Sequence, residues 1–249
     1  MTAATSNTVI ESPVSRHAPG LNQNGILRTF VASRKKYFFF KRCFDIVFSL
    51  LLIVLVLSWI IPLFALLIFI DSKGPVFFRQ KRIGKGGIPF KFLKFRTMVI
   101  NDESDDRPAR DDDDRITRVG KWLRKTNMDE LPQFFNVLAG QMSVVGPRPH
   151  MVADCIRFSF VIPSYSFRSV MRPGITGWAQ VNGFHGPTLD YESIILRYYW
   201  DAMYVRKATA LIDVKIIFAT LQHGFKNMLE TVSSPFRKKG AATPKTIAD

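Results

Sequence analysis

The sequence predicts a mixed α/β fold, mostly helical, with an apolar N-terminal membrane helix and one small domain beside it. Three observations carry that prediction. Ile46 to Ile70 is apolar except at Ser49, Ser58 and Pro62, and roughly 20 such residues suffice to span a bilayer. Basic residues flank the run on both sides: Arg34, Lys35, Lys36, Lys41 and Arg42 before it, and Lys73, Arg79, Lys81, Arg82 and Lys85 after it. Beyond it, short aromatic strand patterns and amphipathic helical patterns share a stretch of ordinary domain size.

The membrane helix is taken over residues 35–75. A spanning helix should carry its Lys/Arg excess on the cytoplasmic side, and here neither flank favours crossing. Pro62 has no N–H, and its ring clashes with the carbonyl of Ser58 one turn back. A bend there leaves Ile46–Ile61 and Leu63–Ile70, each too short to cross alone. The predicted form is re-entrant, a helix that enters and leaves the same leaflet with its break at Pro62. A kinked span fits these residues equally well, because membrane helices tolerate proline.

Composition narrows the partners. The 249-residue chain is 47% hydrophobic, so it can bury a core, and its net charge is +15. Such a charge seeks anions. Beside a membrane segment, anionic membrane lipids and phosphorylated substrates are favoured and nucleic acid is not, each juxtamembrane Lys or Arg being worth about 1 kcal/mol near an anionic surface. Cys43 and Cys155 are the only cysteines, which excludes a disulfide framework and a cysteine zinc site. Residues 1–34 are rich in Ser, Thr, Asn, Pro and Gly and read as a disordered tail without a signal peptide. Residues 227–249 read as a polar tail, which leaves 76–226 as the folded domain.

Within that domain, Val76-Phe77-Phe78 and Phe90-Lys91-Phe92 read as strands around the turn Gly84-Lys85-Gly86-Gly87. Asn101 to Asp114 is a charged loop, and the run Asp111–Asp114 reads as a solvated face rather than a metal site. Thr117–Lys125 reads as a helix with Val119, Trp122 and Leu123 on one face. Leu131–Leu138 reads as another, closed by Ala139-Gly140. Tyr191–Val205 and Leu211–Leu221 follow. In the first of these, Ile194, Ile195, Tyr198, Tyr199 and Met203 share one side, with Glu192, Arg197 and Asp201 elsewhere.

Four stretches carry chemistry. In Arg124-Lys-Thr-Asn-Met-Asp129-Glu130-Leu-Pro132, proline belongs in a first helical turn, which puts Asp129 and Glu130 at a helix start. Free N–H groups there keep carboxylates ionised and attract phosphate. Asn127-x-x-Glu130 and Thr126-x-x-Asp129 also fit capping boxes. In Gly146-Pro147-Arg148-Pro149, two prolines stiffen the mount of one guanidinium, a natural phosphate fork; an ordinary turn is the plainer reading. Arg172 to Gly183 holds three glycines with Trp178, Gln180 and Asn182, as where backbone approaches something closely. Phe92 to Met98 alternates cationic and apolar residues, as an edge strand does.

Together, Lys94-Phe95-Arg96-Thr97-Met98, Asp129-Glu130-Leu131-Pro132-Gln133, Gly146-Pro147-Arg148-Pro149 and Pro173-Gly174-Ile175-Thr176-Gly177-Trp178-Ala179-Gln180-Val181-Asn182-Gly183 resemble the bacterial sugar transferase family. These are the monotopic polyprenyl-phosphate phosphoglycosyl transferases, and the resemblance runs from about Lys35 to Leu221. It implies transfer of a sugar-1-phosphate from a UDP-sugar to undecaprenyl phosphate, with release of UMP, as the first membrane step of exopolysaccharide, capsule or O-antigen synthesis. It implies a small catalytic domain on the cytoplasmic face of the bacterial inner membrane, with a homodimer allowed. By match to the family's motifs, Asp129 would be the nucleophile and Glu130 would help to hold Mg²⁺, or Mn²⁺ in its place. Lys94, Arg124 and Arg148, the last beside Pro147, would surround the diphosphate. The family's membrane break falls at Ser-Pro; here it is Ile61-Pro62, with Ser58 a turn earlier.

An ionised carboxylate can attack phosphorus and split the transfer into two steps, while a metal and fixed cations offset the charge that develops. Two other readings remain open on the residues: a ternary complex in which Asp129 is a general base, and a basic membrane-surface binding protein with no active site.

Overall fold

The computed structural model describes residues 33–100, 113–184, 186 and 190–233. The 1–32 part of the predicted tail, most of the acidic loop and 234–249 lie outside the described residues. The apolar segment is helical throughout: α1 (Lys35–Leu52), a π-helical turn (Ile53–Leu57) and α2 (Ser58–Asp71). Its 37 residues are long and apolar enough to cross a membrane, and at about 1.5 Å per residue it would measure about 55 Å if straight.

The irregularity does not fall where it was predicted. Pro62 sits inside α2, and the backbone register changes one turn earlier. The Ser58 N–H reaches back five residues to the Ile53 carbonyl. The Ser58 hydroxyl donates to Val54 O at 2.6 Å, replacing the bond that the Ser58 N–H would make in an α-helix. A π turn of this kind is a recognised site of helix distortion. Ser58 therefore serves the break through its own hydroxyl.

One face of this helix belongs to the domain, and the rest is bare. Asp45, Ser49, Leu57, Phe64 and Ile68 are buried, while Phe40, Val47, Leu51, Leu55, Trp59, Leu66 and Ile70 are exposed. Both ends are tied to the domain. Near the N-terminal end, Tyr37 and Lys41 donate to Asp213 Oδ2 at 2.9 and 2.8 Å, and Tyr204 donates to Oδ1 at 2.6 Å. At the other end, Asp71 Oδ2 accepts from the Val119 N–H at 2.8 Å, and Arg96 donates to Ser72 O and Lys73 O at 2.6 and 2.8 Å. Part of the basic flank thus works internally. Arg42 also turns inward and donates to Val137 O and Leu138 O at 2.7 and 3.0 Å.

The predicted hairpin forms and is longer than its sequence signal: β1 (Phe77–Ile83) pairs antiparallel with β2 (Pro89–Phe95). Gly86 and Gly87, at φ of 68° and 80°, make the turn that a residue with a Cβ would resist. Next comes α3 (Arg118–Lys125), where Thr117 Oγ1 caps the Gly120 N–H at 3.0 Å. A 3₁₀ turn (Met128–Glu130) leads to α4 (Gln133–Leu138). Then β3 (Ser143–Val145) pairs in parallel with β4 (Gly174–Thr176). Between them lie α5 (Val152–Val161) and a 3₁₀ turn (Tyr165–Val170), and after them a short α6 (Trp178–Val181), α7 (Tyr191–Lys207) and α8 (Ala210–Ser233). The last helix runs into the stretch 227–249 that the sequence suggested as a tail. The core gathers Phe92, Phe134, Val137, Val145, Tyr204 and Val205 around Leu57 of the membrane helix. Phe64 and Ile68 form a second cluster with Phe95 and Leu123.

The sequence left open which side of α7 packs on the domain. Arg197 and Asp201 point inward and are buried, whereas Ile195 and Tyr199 are half exposed. Asp201 is accepted inside by Arg168 at 2.6 Å, and Arg197 donates to Gly186 O at 2.5 Å. The glycine-rich stretch does meet something closely, and it is the backbone of Gly146. A Cβ on Gly174 would stand 2.1 Å from Gly146 N, and one on Gly177 2.2 Å from Gly146 O.

Asp45, only 2% exposed, holds the Val144 N–H at 2.9 Å and the Ser143 hydroxyl at 3.1 Å. Asp45→Ala strands both donors, a cost of about 2–4 kcal/mol. The expected result is a Tm lower by about 4–12 °C in detergent, with Asp45→Asn recovering much of it. A Tm unchanged in Asp45→Ala would show that these bonds do not hold the helix.

Candidate active site

Three separate elements meet at one ionic cluster. Lys94 comes from the end of β2, Asp129 and Glu130 from the 3₁₀ turn before α4, and Arg148 from the segment after β3. Lys94 Nζ lies 3.1 Å from Asp129 Oδ2 and 2.7 Å from Glu130 Oε1. Arg148 donates to the same Glu130 Oε1 at 2.8 Å and to Oε2 at 3.4 Å. All of these side chains are at least four-fifths buried.

The turn is built for this purpose and not for capping. Asn127 is the one non-glycine residue with positive φ among the described residues, at 56°, a conformation that asparagine tolerates. Its side chain caps nothing, and Thr126 Oγ1 donates backwards to Trp122 O and Leu123 O. Neither capping box forms. The carboxylates turn instead to the cations across the cleft.

Electrostatics separates the two acids. Burial would raise the Glu130 carboxyl, but Arg148 and then Lys94 outweigh it and hold the group well below the usual carboxylate range. Arg148 is held above its ordinary value, since the attraction of Glu130 exceeds the penalty of burial. Asp129 is held by one contact only: Oδ2 takes Lys94, and Oδ1 accepts no hydrogen bond from the described residues.

Not every expected residue joins the cluster. Arg124 reaches Thr97 Oγ1 at 3.5 Å and bonds neither carboxylate. Pro147 contributes by stiffening the backbone beside Arg148. Ser58 and Pro62 lie in the membrane helix, away from this chemistry. Around Arg148 stand residues that sequence reasoning missed: Arg82, Gln80, Arg168, Asp201 and His150, all mostly buried. Arg168 pairs with Asp201 at 2.6 Å. His150 is bonded to the Tyr165 hydroxyl, and burial, with Arg168 and Arg197 beside it, keeps its imidazole neutral, well below the ordinary value.

Among the described residues no group of three or more His, Cys, Asp or Glu side chains could enclose a metal. The adjacent carboxylates nevertheless fit Mg²⁺, which is commonly held by one or two protein carboxylates and completed by substrate phosphates and water. Glu130 Oε2 is engaged only at 3.4 Å, so a hard oxygen donor remains beside the cations.

A sequence profile of the bacterial sugar transferase family matches residues 36–227. The chain belongs to that family. A UDP-glucose:undecaprenyl-phosphate glucose-1-phosphate transferase of Klebsiella pneumoniae is 48% identical over 190 residues, which cover 76% of this chain and 40% of that protein. A UDP-N-acetylgalactosamine-undecaprenyl-phosphate N-acetylgalactosaminephosphotransferase of Aeromonas hydrophila is 43% identical over 187 residues, covering 75% and 44%. The exopolysaccharide production protein PSS of Rhizobium leguminosarum bv. phaseoli is 45% identical over 186 residues, covering 73% and 92%. The chain therefore spans less than half of the first two relatives and nearly all of the third. The family's matched region holds the whole ionic cluster and the membrane helix.

The clamp on Glu130 makes stability depend on acid. Its carboxyl lies below the unfolded value of about 4.3, so the clamp is fully present above that pH and is lost as pH falls towards the folded value. The Tm gap between wild type and Glu130→Gln should be constant above about pH 5 and narrow towards pH 3. A gap that stays constant down to pH 3 would show that Glu130 is not clamped.

Proposed function

We propose that this chain transfers a sugar-1-phosphate from a UDP-sugar to undecaprenyl phosphate, releasing UMP, and so initiates a bacterial exopolysaccharide or related polymer. The observation that carries it is the cluster of two cations and two carboxylates on one wall of a domain built onto a membrane helix. The names of the Klebsiella, Aeromonas and Rhizobium relatives support the same reaction class.

Each residue has a distinct part. Arg148 offers a planar fork for phosphate oxygens, and Lys94 offers a point charge that can shift from carboxylate to phosphate. Glu130, held by both, stays ionised and keeps the cations in place. Asp129 is the nucleophile: its free Oδ1 attacks the phosphorus that carries the sugar, the bond to UMP breaks, and the phosphosugar remains on the carboxylate as an acyl phosphate. Undecaprenyl phosphate then attacks that phosphorus, and Asp129 leaves as a carboxylate. Mg²⁺, held by Glu130, would offset charge on the phosphate oxygens. The cluster's own side chains sum to zero charge, so fixed cations alone do not balance a diphosphate.

The membrane helix is read as re-entrant, with the domain on the cytoplasmic face of the inner membrane where UDP-sugars are available. The support is that both ends of the helix bond to the same domain, through Tyr37 and Lys41 at one end and Asp71 at the other. A helix that crossed the bilayer would carry one of those ends to the far side.

The decisive experiment omits the lipid. Purified protein with UDP-sugar and Mg²⁺ should release UMP in one burst equal to the active sites, and EDTA should suppress it. The protein should gain the mass of a sugar phosphate, mapping to Asp129, and Asp129→Asn should lose burst and adduct together. A proven transferase that yields no adduct would leave Asp129 as a general base in a ternary complex. No UMP from any UDP-sugar would favour a binding protein. Topology has its own check. With Cys43 and Cys155 removed, single cysteines at Arg28 and Lys81 should both resist an impermeant thiol reagent in intact cells. Labelling at position 28 alone would mean a span.

A further inference from the structure

The segment that carries Arg148 has no regular secondary structure from Gly146 to His150, yet its carbonyls are held one after another. Pro147 O accepts from the Gly174 N–H at 3.0 Å, and His150 O from the Ile83 N–H at 3.0 Å. Between these, Arg148 O accepts from Arg168 at 2.6 Å, and Pro149 O from Arg82 at 2.8 Å. Four successive carbonyls are thus gripped from β1, from the turn before β4 and from β4 itself. Pro147 and Pro149 fix φ on either side and have no N–H to offer.

The two arginines that grip the centre are aimed in turn. Asp201, 1% exposed, takes both Nε and a terminal nitrogen of Arg168 at 2.9 and 2.6 Å. Gln80 Oε1 takes Nε and a terminal nitrogen of Arg82 at 2.8 and 2.6 Å. The Gln80 amide nitrogen is fixed in turn against the Met151 sulfur at 3.2 Å. Arg82 makes no ion pair among the described residues. Burying a guanidinium without a carboxylate is costly, and here it serves a single carbonyl next to Arg148.

We propose that Arg168, aimed by Asp201, and Arg82, aimed by Gln80, are positioning residues for Arg148. They hold its backbone so that its guanidinium stands at a set place beside Glu130, where a phosphate is received. This rests on the reading of Arg148 as a phosphate ligand. A planar fork needs a fixed origin to meet oxygens pairwise, whereas a lysine at the same place is a flexible point charge that adapts to a shifted backbone.

That contrast gives the test. UMP release from UDP-glucose with undecaprenyl phosphate is measured for wild type, Arg168→Lys, Arg148→Lys and the double variant, each with its Tm. Arg168→Lys should lower kcat about tenfold or more in wild type and less than about threefold in Arg148→Lys, because residues acting through one another are not additive. Gln80→Met, which keeps length and burial but removes the oxygen that aims Arg82, should show the same dependence and covers the case in which Arg168→Lys does not fold. Equal factors in both backgrounds would overturn the positioning role and leave the transferase reading intact. Wild type that frees no UMP from UDP-glucose or from any other UDP-sugar would overturn the transferase reading itself, and the positioning role with it.

Discussion

Asp45 is the one carboxylate of α1, and the architecture depends on where it can be satisfied. A buried carboxylate is tolerated only with hydrogen-bond donors. Its donors are the Val144 N–H and the Ser143 hydroxyl, both in β3, the strand that runs directly into Gly146 and Arg148. Arg42, less than a turn earlier, meets the carbonyls that end α4, the helix that follows Asp129 and Glu130. The polar face of one helix therefore grips both segments that bring the reactive charges together. Rotating or sliding that helix by a residue would strand Asp45 and Arg42 together. Its remaining faces are left free to be apolar, and they are.

Within the cluster, the two neighbouring acids are held differently. Glu130 is gripped by two cations on one oxygen, and Asp129 by one cation with an oxygen to spare. A carboxylate that must attack cannot have both oxygens engaged, and one that must hold cations in place cannot be loosely held. The adjacency that looks like duplication in the sequence becomes a difference because the 3₁₀ turn brings both side chains to Lys94 but only Glu130 to Arg148.

Much of this was legible in the sequence. The hairpin announced itself by aromatic alternation around Gly84–Gly87, and α3 by Thr117 ahead of an apolar face. The acids, Lys94 and Arg148 were placed by motif. What escaped did so for physical reasons. Helical periodicity sorts residues by polarity, so it set Arg197 and Asp201 of α7 apart from the apolar side without saying which side is buried. It cannot foresee a buried arginine on a distant turn that makes an aspartate welcome inside. Spacing suggested capping boxes at Asn127 and Thr126, but a carboxylate follows the stronger partner, and two cations outbid one backbone N–H. Proline flagged a distortion in the membrane helix one turn late, because a serine hydroxyl can stabilise a π register ahead of it. The glycines of 172–183 were visible, whereas their partner, Gly146, is fixed only by the parallel pairing of β3 with β4.

The same constraints bear on how a lipid phosphate reaches the cluster. The helix is joined to the domain at Asp213, Asp45 and Asp71 along its length, so its depth in the bilayer and the height of Arg148 above it are not independent. Hydrophobic length sets depth at a cost of fractions of a kcal/mol per Å of mismatch. A few ångströms of displacement of the helix would carry Lys94 and Arg148 with it. The π turn suits this need. It shifts the register of the helix faces while Ser58 replaces the lost backbone bond, and the polar face keeps its hold on β3. The helix and the ionic cluster are thus one mechanical unit: Asp45 holds the strand that leads to Arg148, and Arg42 holds the helix that follows Asp129 and Glu130.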